Sequence, residues 1–188
     1  GGFKAGTYLN WWDANDLPGE LDDLGSNRLT SIAYIYTGSA FTAGIQLDEL
    51  SEFSGQELGL EAVIQAAVGP ASVELLGSYD FGAEEGAVRA IGSLDAGPGT
   101  FYLAGIYSSG ANEYYEAAEW TLAAAYAFKA TEKLEIIPEF QYFWNAEFAG
   151  DDYWAAGATV NYQIVDGLSS KVAVGYSDLT EDWGGLVR

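Results

Sequence analysis

The chain has no cysteine and no histidine among its 188 residues. Without cysteine there are no disulfides, no thiolate metal sites and no cysteine nucleophile. Without histidine the Ser-His-Asp triad, the commonest general base and most transition-metal sites drop out. Cationic side chains are also scarce. Against 28 Asp plus Glu stand 7 Lys plus Arg, a formal charge of -21. A nucleic-acid partner needs a cationic face to displace phosphate counterions, so that class is excluded. Long apolar runs are missing too. No window approaches the roughly 18 apolar residues of a membrane helix, and residues 1–12 carry no signal-peptide core. A β-barrel gives no such hydropathy signal and stays open as a membrane form.

What is present points to β-structure. Acidic disordered chains lack aromatics, whereas 15% of these residues are aromatic and 24 are glycine. Apolar and small or polar residues alternate again and again, the period of a strand. Leu60, Ala62, Ile64 and Ala66 alternate with Glu61, Val63 and Gln65. Leu168, Ser170, Val172, Val174 and Tyr176 alternate with Ser169, Lys171, Ala173 and Gly175. The pattern predicts twelve strands, near 2–10, 28–37, 40–49, 58–68, 71–80, 86–95, 100–108, 119–129, 133–144, 152–163, 168–178 and 182–188. Most have the length of about 9–11 residues with which a tilted strand crosses a bilayer. Soluble strands are commonest at about 5–6.

The connections alternate as well. Tight turns at Gly38-Ser39, Gly69-Pro70, 96–99, 130–132 and Asp166-Gly167 separate longer loops at 11–27, 50–57, 81–85, 109–118 and 145–151. Short turns at one rim and longer loops at the other are the rhythm of an outer-membrane barrel. The apolar face is uncharged from the third strand on, and its aromatics, such as Phe41, Tyr79, Trp120, Phe128, Trp144 and Trp183, sit near strand ends. Interfacial girdles look like this. The predicted fold is therefore all-β, an antiparallel transmembrane β-barrel, with a soluble β-sandwich or lipid-binding barrel as the rival. The six Trp fit membrane anchors better than a sugar-stacking track. Pro138 stands mid-strand, where a closed barrel has no free edge, and predicts a local bulge.

The sharpest cluster lies in the loop after the first strand. Asp13, Asp16, Glu20, Asp22 and Asp23 crowd it, with no Lys or Arg between Lys4 and Arg28. Folded into a lumen, these residues with Arg28 would line a constriction that favours cations. As an ordinary solvated acidic loop they would do nothing of the kind. The loop is no EF-hand, because Pro18 occupies the sharp-turn glycine position. Glu61, Glu74, Arg89, Glu135, Glu139 and Lys171 fall on the polar face as lumen-lining candidates. Glu135 and Glu139 lie roughly 13 Å apart along one strand, too far for a glycosidase pair. Arg89 and Lys171 are their candidate partners.

Several stretches resemble the rhizobial-type porin family of the alphaproteobacteria. These are Gly2-Phe3-Lys4-Ala5-Gly6 with Trp11-Trp12-Asp13, then Asp22-Asp23-Leu24 with Asn27-Arg28-Leu29, and Ile32-Ala33-Tyr34. Phe41-Thr42-Ala43-Gly44-Ile45 and Trp183-Gly184-Gly185 extend the likeness. The resemblance implies that the chain is one transmembrane barrel segment, corresponding to strands 5–16 of a sixteen-stranded barrel. It also implies that 11–27 is the inward-folded third external loop. The family's signal peptide, four further strands and terminal aromatic are not in this sequence. A twelve-stranded barrel closing on itself also satisfies the even strand count.

The expectation is an outer-membrane channel, not an enzyme, with no cofactor and no metal. It would pass small hydrophilic solutes and ions by passive diffusion, with a preference for cations. Its expected surroundings are the bilayer and lipopolysaccharide, with a homotrimer implied by the resemblance. The alternative is a twelve-stranded barrel acting as adhesin, receptor or translocator. An outer-membrane phospholipase is set aside, because its Ser-His pair cannot be built here.

Overall fold

The computed structural model describes residues 1–14, 16–20, 25, 28–50 and 57–188. Twelve strands form: β1 (Gly2–Leu9), β2 (Arg28–Thr37), β3 (Phe41–Glu49), β4 (Leu58–Val68), β5 (Ala71–Asp80) and β6 (Glu85–Ala96). Then come β7 (Gly99–Ser108), β8 (Ala118–Lys129), β9 (Leu134–Ala146), β10 (Asp151–Val165), β11 (Leu168–Ser177) and β12 (Asp182–Val187). A single helical turn, α1 (Trp11–Ala14), follows β1. Every strand pairs antiparallel with its neighbours in sequence, so the sheet is a meander in strict chain order. Among the described residues β1 and β12 are not paired with each other, and they form the two margins of the sheet.

The alternation read from the sequence sets the two faces. In β2, Leu29, Ser31 and Ala33 are buried while Thr30, Ile32 and Tyr34 are exposed. In β4, Glu61 and Val63 are buried and Ala62 and Ile64 exposed. The exposed apolar face is uninterrupted across the meander, through Ile45, Ile64, Leu75, Val88, Leu103, Leu122, Phe140 and Val172. In water such a surface would be an aggregation site; against lipid tails it is solvated. Rings gather toward both margins of this band. Tyr36 with Phe41, and Tyr126 with Phe128, lie at the short-turn rim. Tyr107 with Trp120, Tyr142 with Trp144, and Tyr176 with Trp183 lie toward the long-loop rim.

Two expectations change. Pro138 produces no bulge. The β9 ladder to β8 omits the positions of Pro138 and Ile137 and resumes in the same register, Ala125 opposite Glu139 and Phe128 opposite Ile136. The missing N–H is absorbed by leaving two pairs open rather than by adding a residue. Second, Trp11 and Trp12 are not membrane anchors. They belong to α1, on the inner side, where Trp12 is fully buried.

Candidate pore constriction

The sheet curls around the segment that follows β1. Asn10 caps α1: its Oδ1 accepts the Asp13 amide at 3.2 Å, as an N-cap asparagine does. The Trp11 amide donates to Glu61 Oε2 of β4 at 3.2 Å. The Trp11 ring lies over Gly44 of β3, where a Cβ would come within 2.7 Å of it. From β6, Arg89 reaches the Trp12 carbonyl at 2.7 Å and the Trp11 carbonyl at 3.0 Å. It also pairs with Asp16 at 3.2 Å and with Glu74 of β5 at 3.3 Å.

Beyond Asp16 the segment runs to the opposite wall. Gly19 has φ +132, and a Cβ there would sit 2.1 Å from the Glu139 carboxyl carbon, so only glycine permits this approach. The Glu20 amide donates to Glu139 Oε2 of β9 at 3.1 Å. The Glu20 carboxylate holds Lys171 of β11 and, at 3.5 Å, Arg188. One loop thus touches β3, β4, β6, β9 and β11, which places it inside the curl.

The predicted site residues divide accordingly. Asp13, Asp16 and Glu20 sit on this inward segment, and Glu61, Glu74, Arg89, Glu139 and Lys171 stand on the wall around it. Glu135 faces inward near the short-turn rim and accepts from Asn161 at 3.1 Å. Arg28 stands apart. It opens β2 opposite Leu9, exposed and in register with outward Thr30 and Ile32, away from the group around the loop. Asp22 and Asp23 lie outside the described residues. The partners also differ from expectation: Arg89 serves Glu74 and Asp16, and Lys171 serves Glu20, rather than Glu135 or Glu139.

A second inward loop was not foreseen. Residues 109–117 turn under an Asx motif in which Asn112 Oδ1 accepts the amides of Tyr114 and Tyr115. Both tyrosines are buried. The Tyr115 ring stacks on Trp12 at 5.8 Å, and Tyr114 donates to Asp48 Oδ2 at 2.8 Å. Asp48 also accepts from Ser31 and from Gln46, which itself bonds Glu61 and takes the Tyr8 hydroxyl. Burial pushes the Tyr114 hydroxyl well above its ordinary range, and the Asp48 charge adds to the shift. It therefore remains a donor at any physiological pH. The available signal was a pair of adjacent tyrosines in an otherwise polar loop just after an asparagine.

Around this segment, acidic side chains outnumber cations: Asp13, Asp16, Glu20, Asp48, Glu61, Glu74 and Glu139 against Arg89, Lys171 and Arg188. Among the described residues the surroundings of the segment are thus richer in acidic than in basic groups. Among the described residues no acidic group has the geometry of a metal site.

Known proteins resemble the chain at every level. It is 43% identical to a putative outer membrane protein y4fJ of Sinorhizobium fredii, over all of this chain and 57% of that protein. It is 40% identical to outer membrane protein IIIA of Rhizobium leguminosarum bv. viciae, over 94% of this chain and 55% of that one. The chain thus spans about half the length of the curated relatives it matches. In fold it matches the outer membrane channel DcaP of Acinetobacter baumannii, with a TM-score of 0.69 at 14% identity over 98% of this chain and 68% of that one. The model of the Porin subfamily matches residues 1–187. An antiparallel meander with an apolar outer band, an inward acidic loop and these relatives leave one conclusion: the chain belongs to the alphaproteobacterial porin family, whose place is the bacterial outer membrane.

Proposed function

We propose that the chain supplies wall and constriction of a water-filled channel that passes small hydrophilic solutes by diffusion and prefers cations. The observation that carries this reading is the acidic segment from Asp13 to Glu20, held across the inside of the sheet between β6 and β11. Fixed carboxylates at a narrowing lower the barrier for cations and raise it for anions. Their field reaches about one Debye length, roughly 10 Å at 0.1 M salt, so the preference fades as salt rises. The lipid-facing band fits a bilayer, and we take the assembly to be a homotrimer whose long-loop rim meets lipopolysaccharide. No chemical step is required of any residue.

The test is a reversal potential under a salt gradient in planar bilayers. Changing Asp13, Asp16, Glu20, Asp22 and Asp23 to Asn or Gln together should lower the preference for cations, more at low salt than at high. An unchanged reversal potential in a folded barrel removes the loop from the passage. Steady open-channel conductance also separates this reading from an adhesin or receptor barrel, which gives none.

A further inference from the structure

Two ion-paired fastenings of the inward loop differ in kind. At its far end Glu20 pairs with Lys171 and Arg188, whose side chains keep 33% and 66% of their exposure. Such pairs are screened by salt and hold weakly. At its root the fastening is Arg89, whose side chain is completely buried.

We propose that Arg89 is the positioning residue of the constriction, the clamp that keeps the loop across the lumen; this rests on reading that loop as the constriction. A one-turn helix leaves its final carbonyls without intrahelical partners. The Arg89 guanidinium takes two of them, with Nη1 donating to Trp12 O at 2.7 Å and Nη2 to Trp11 O at 3.0 Å. The same nitrogens bind a loop carboxylate, Asp16, and a wall carboxylate, Glu74. Glu74 is itself held from β4 by Gln65 Nε2 at 2.6 Å. The guanidinium carbon lies 5.0 Å from the Trp12 ring centroid, within cation–π range, and Tyr115 stacks on that ring. Wall carboxylate, guanidinium and loop backbone form one chain of contacts from β4 to α1.

The chemistry selects arginine. A planar fork that stays charged at every accessible pH can serve two carbonyls and two carboxylates at once. A lysine ammonium has three donors on one atom and no plane to lay against the indole. Because the clamp is buried, salt does not loosen it as it loosens the Glu20 pairs. Of the two charged fastenings, Arg89 is therefore the one that holds the loop in place at any salt, and the Glu20 pairs trim it.

The experiment uses single-channel recording in planar bilayers at low and at molar salt. The variants are Arg89→Lys and Arg89→Met combined with Glu74→Gln, the latter leaving no buried carboxylate unpaired on the wall. Both should show a severalfold rise in open-channel current variance and closure at lower voltage, at both salts. Glu20→Gln should raise the variance at low salt only. Wild-type variance and closing voltage in both Arg89 variants would overturn the proposal. Should the variants fail to insert, hydrogen exchange on the unaltered protein decides: loop amides that stay protected in molar salt bear out a hold that the screened Glu20 pairs cannot supply, and protection lost with salt overturns the clamp. A separate control isolates the constriction reading. The chain has no cysteine of its own, so a bulky impermeant thiol reagent on Asp13→Cys reports one site. Block by that reagent together with unaltered Arg89 variants sinks the clamp alone; no block sinks the constriction reading.

Discussion

Arginine placed at Ile64 and at Gln65, adjacent residues in the middle of β4, should have opposite fates. Ile64 is 44% exposed on the outer band, with Ala43 and Leu75 as cross-strand neighbours. A guanidinium there meets hydrocarbon, at a cost of about 2–4 kcal/mol near the midplane. Gln65 faces the lumen, where its amide donates to Glu74 at 2.6 Å. Gln65→Arg gives up that bond, about 0.5–1.5 kcal/mol, and regains a charged partner in the same carboxylate. The net change at 65 is close to zero, so the two variants should differ by about 2 kcal/mol or more, some thirtyfold in the folding constant. Reversible urea titration in lipid vesicles, followed by tryptophan fluorescence, measures both. Equal losses at the two positions, or a larger loss at 65, would refute the assignment of faces.

Other outcomes follow from the inner contacts. Gly59→Ala would put a Cβ 1.9 Å from the Tyr114 hydroxyl; expelling that hydroxyl from Asp48 should cost about 1–3 kcal/mol and speed amide exchange in 109–117. Because the folded protein holds the Tyr114 proton more tightly than the unfolded chain, stability should fall as pH rises above about 10, the ordinary tyrosine value. Tyr114→Phe should flatten that fall in denaturant midpoints measured against pH. Asn10→Ala removes the cap of α1, at about 0.5–2 kcal/mol, and should appear as faster exchange at the Asp13 amide. Glu20→Gln leaves Lys171 and Arg188 without their carboxylate and should shift the reversal potential toward anions more than an exposed rim change such as Glu84→Gln.

The strands were legible because each alternation is local. Ile64 and Gln65 announce their faces by period two alone, and β2, β4 and β5 begin and end where the pattern places them. Only the ends drifted. β10 runs from Asp151 to Val165, lengthened at both ends where its pairing slips, beyond Asp151 and beyond Gln163. The inner architecture was legible in its charges and not in its contacts. A run of acids shows that a loop is unusual; nothing local says that Glu20 meets Lys171 or that Arg89 grips the backbone of Trp11 and Trp12. Trp12 looked like any other tryptophan near a strand end. Its ring is covered by Tyr115 and Arg89, which lie 103 and 77 residues further along the chain.

The reach of the inward loop also sets an order of assembly. Its partners are distant in sequence: Glu61 lies 50 residues from Trp11, Arg89 lies 77 from Trp12, Glu139 lies 119 from Glu20 and Lys171 lies 151 from Glu20. The hairpins of the meander close locally and quickly, whereas contacts of such separation wait until their strands are aligned. The loop therefore comes to rest last, after a wall reaching from β3 to β11 exists to receive it. Until then the inner face of the sheet is uncovered, and the docking of α1 against β3, β4 and β6 is the step that covers it.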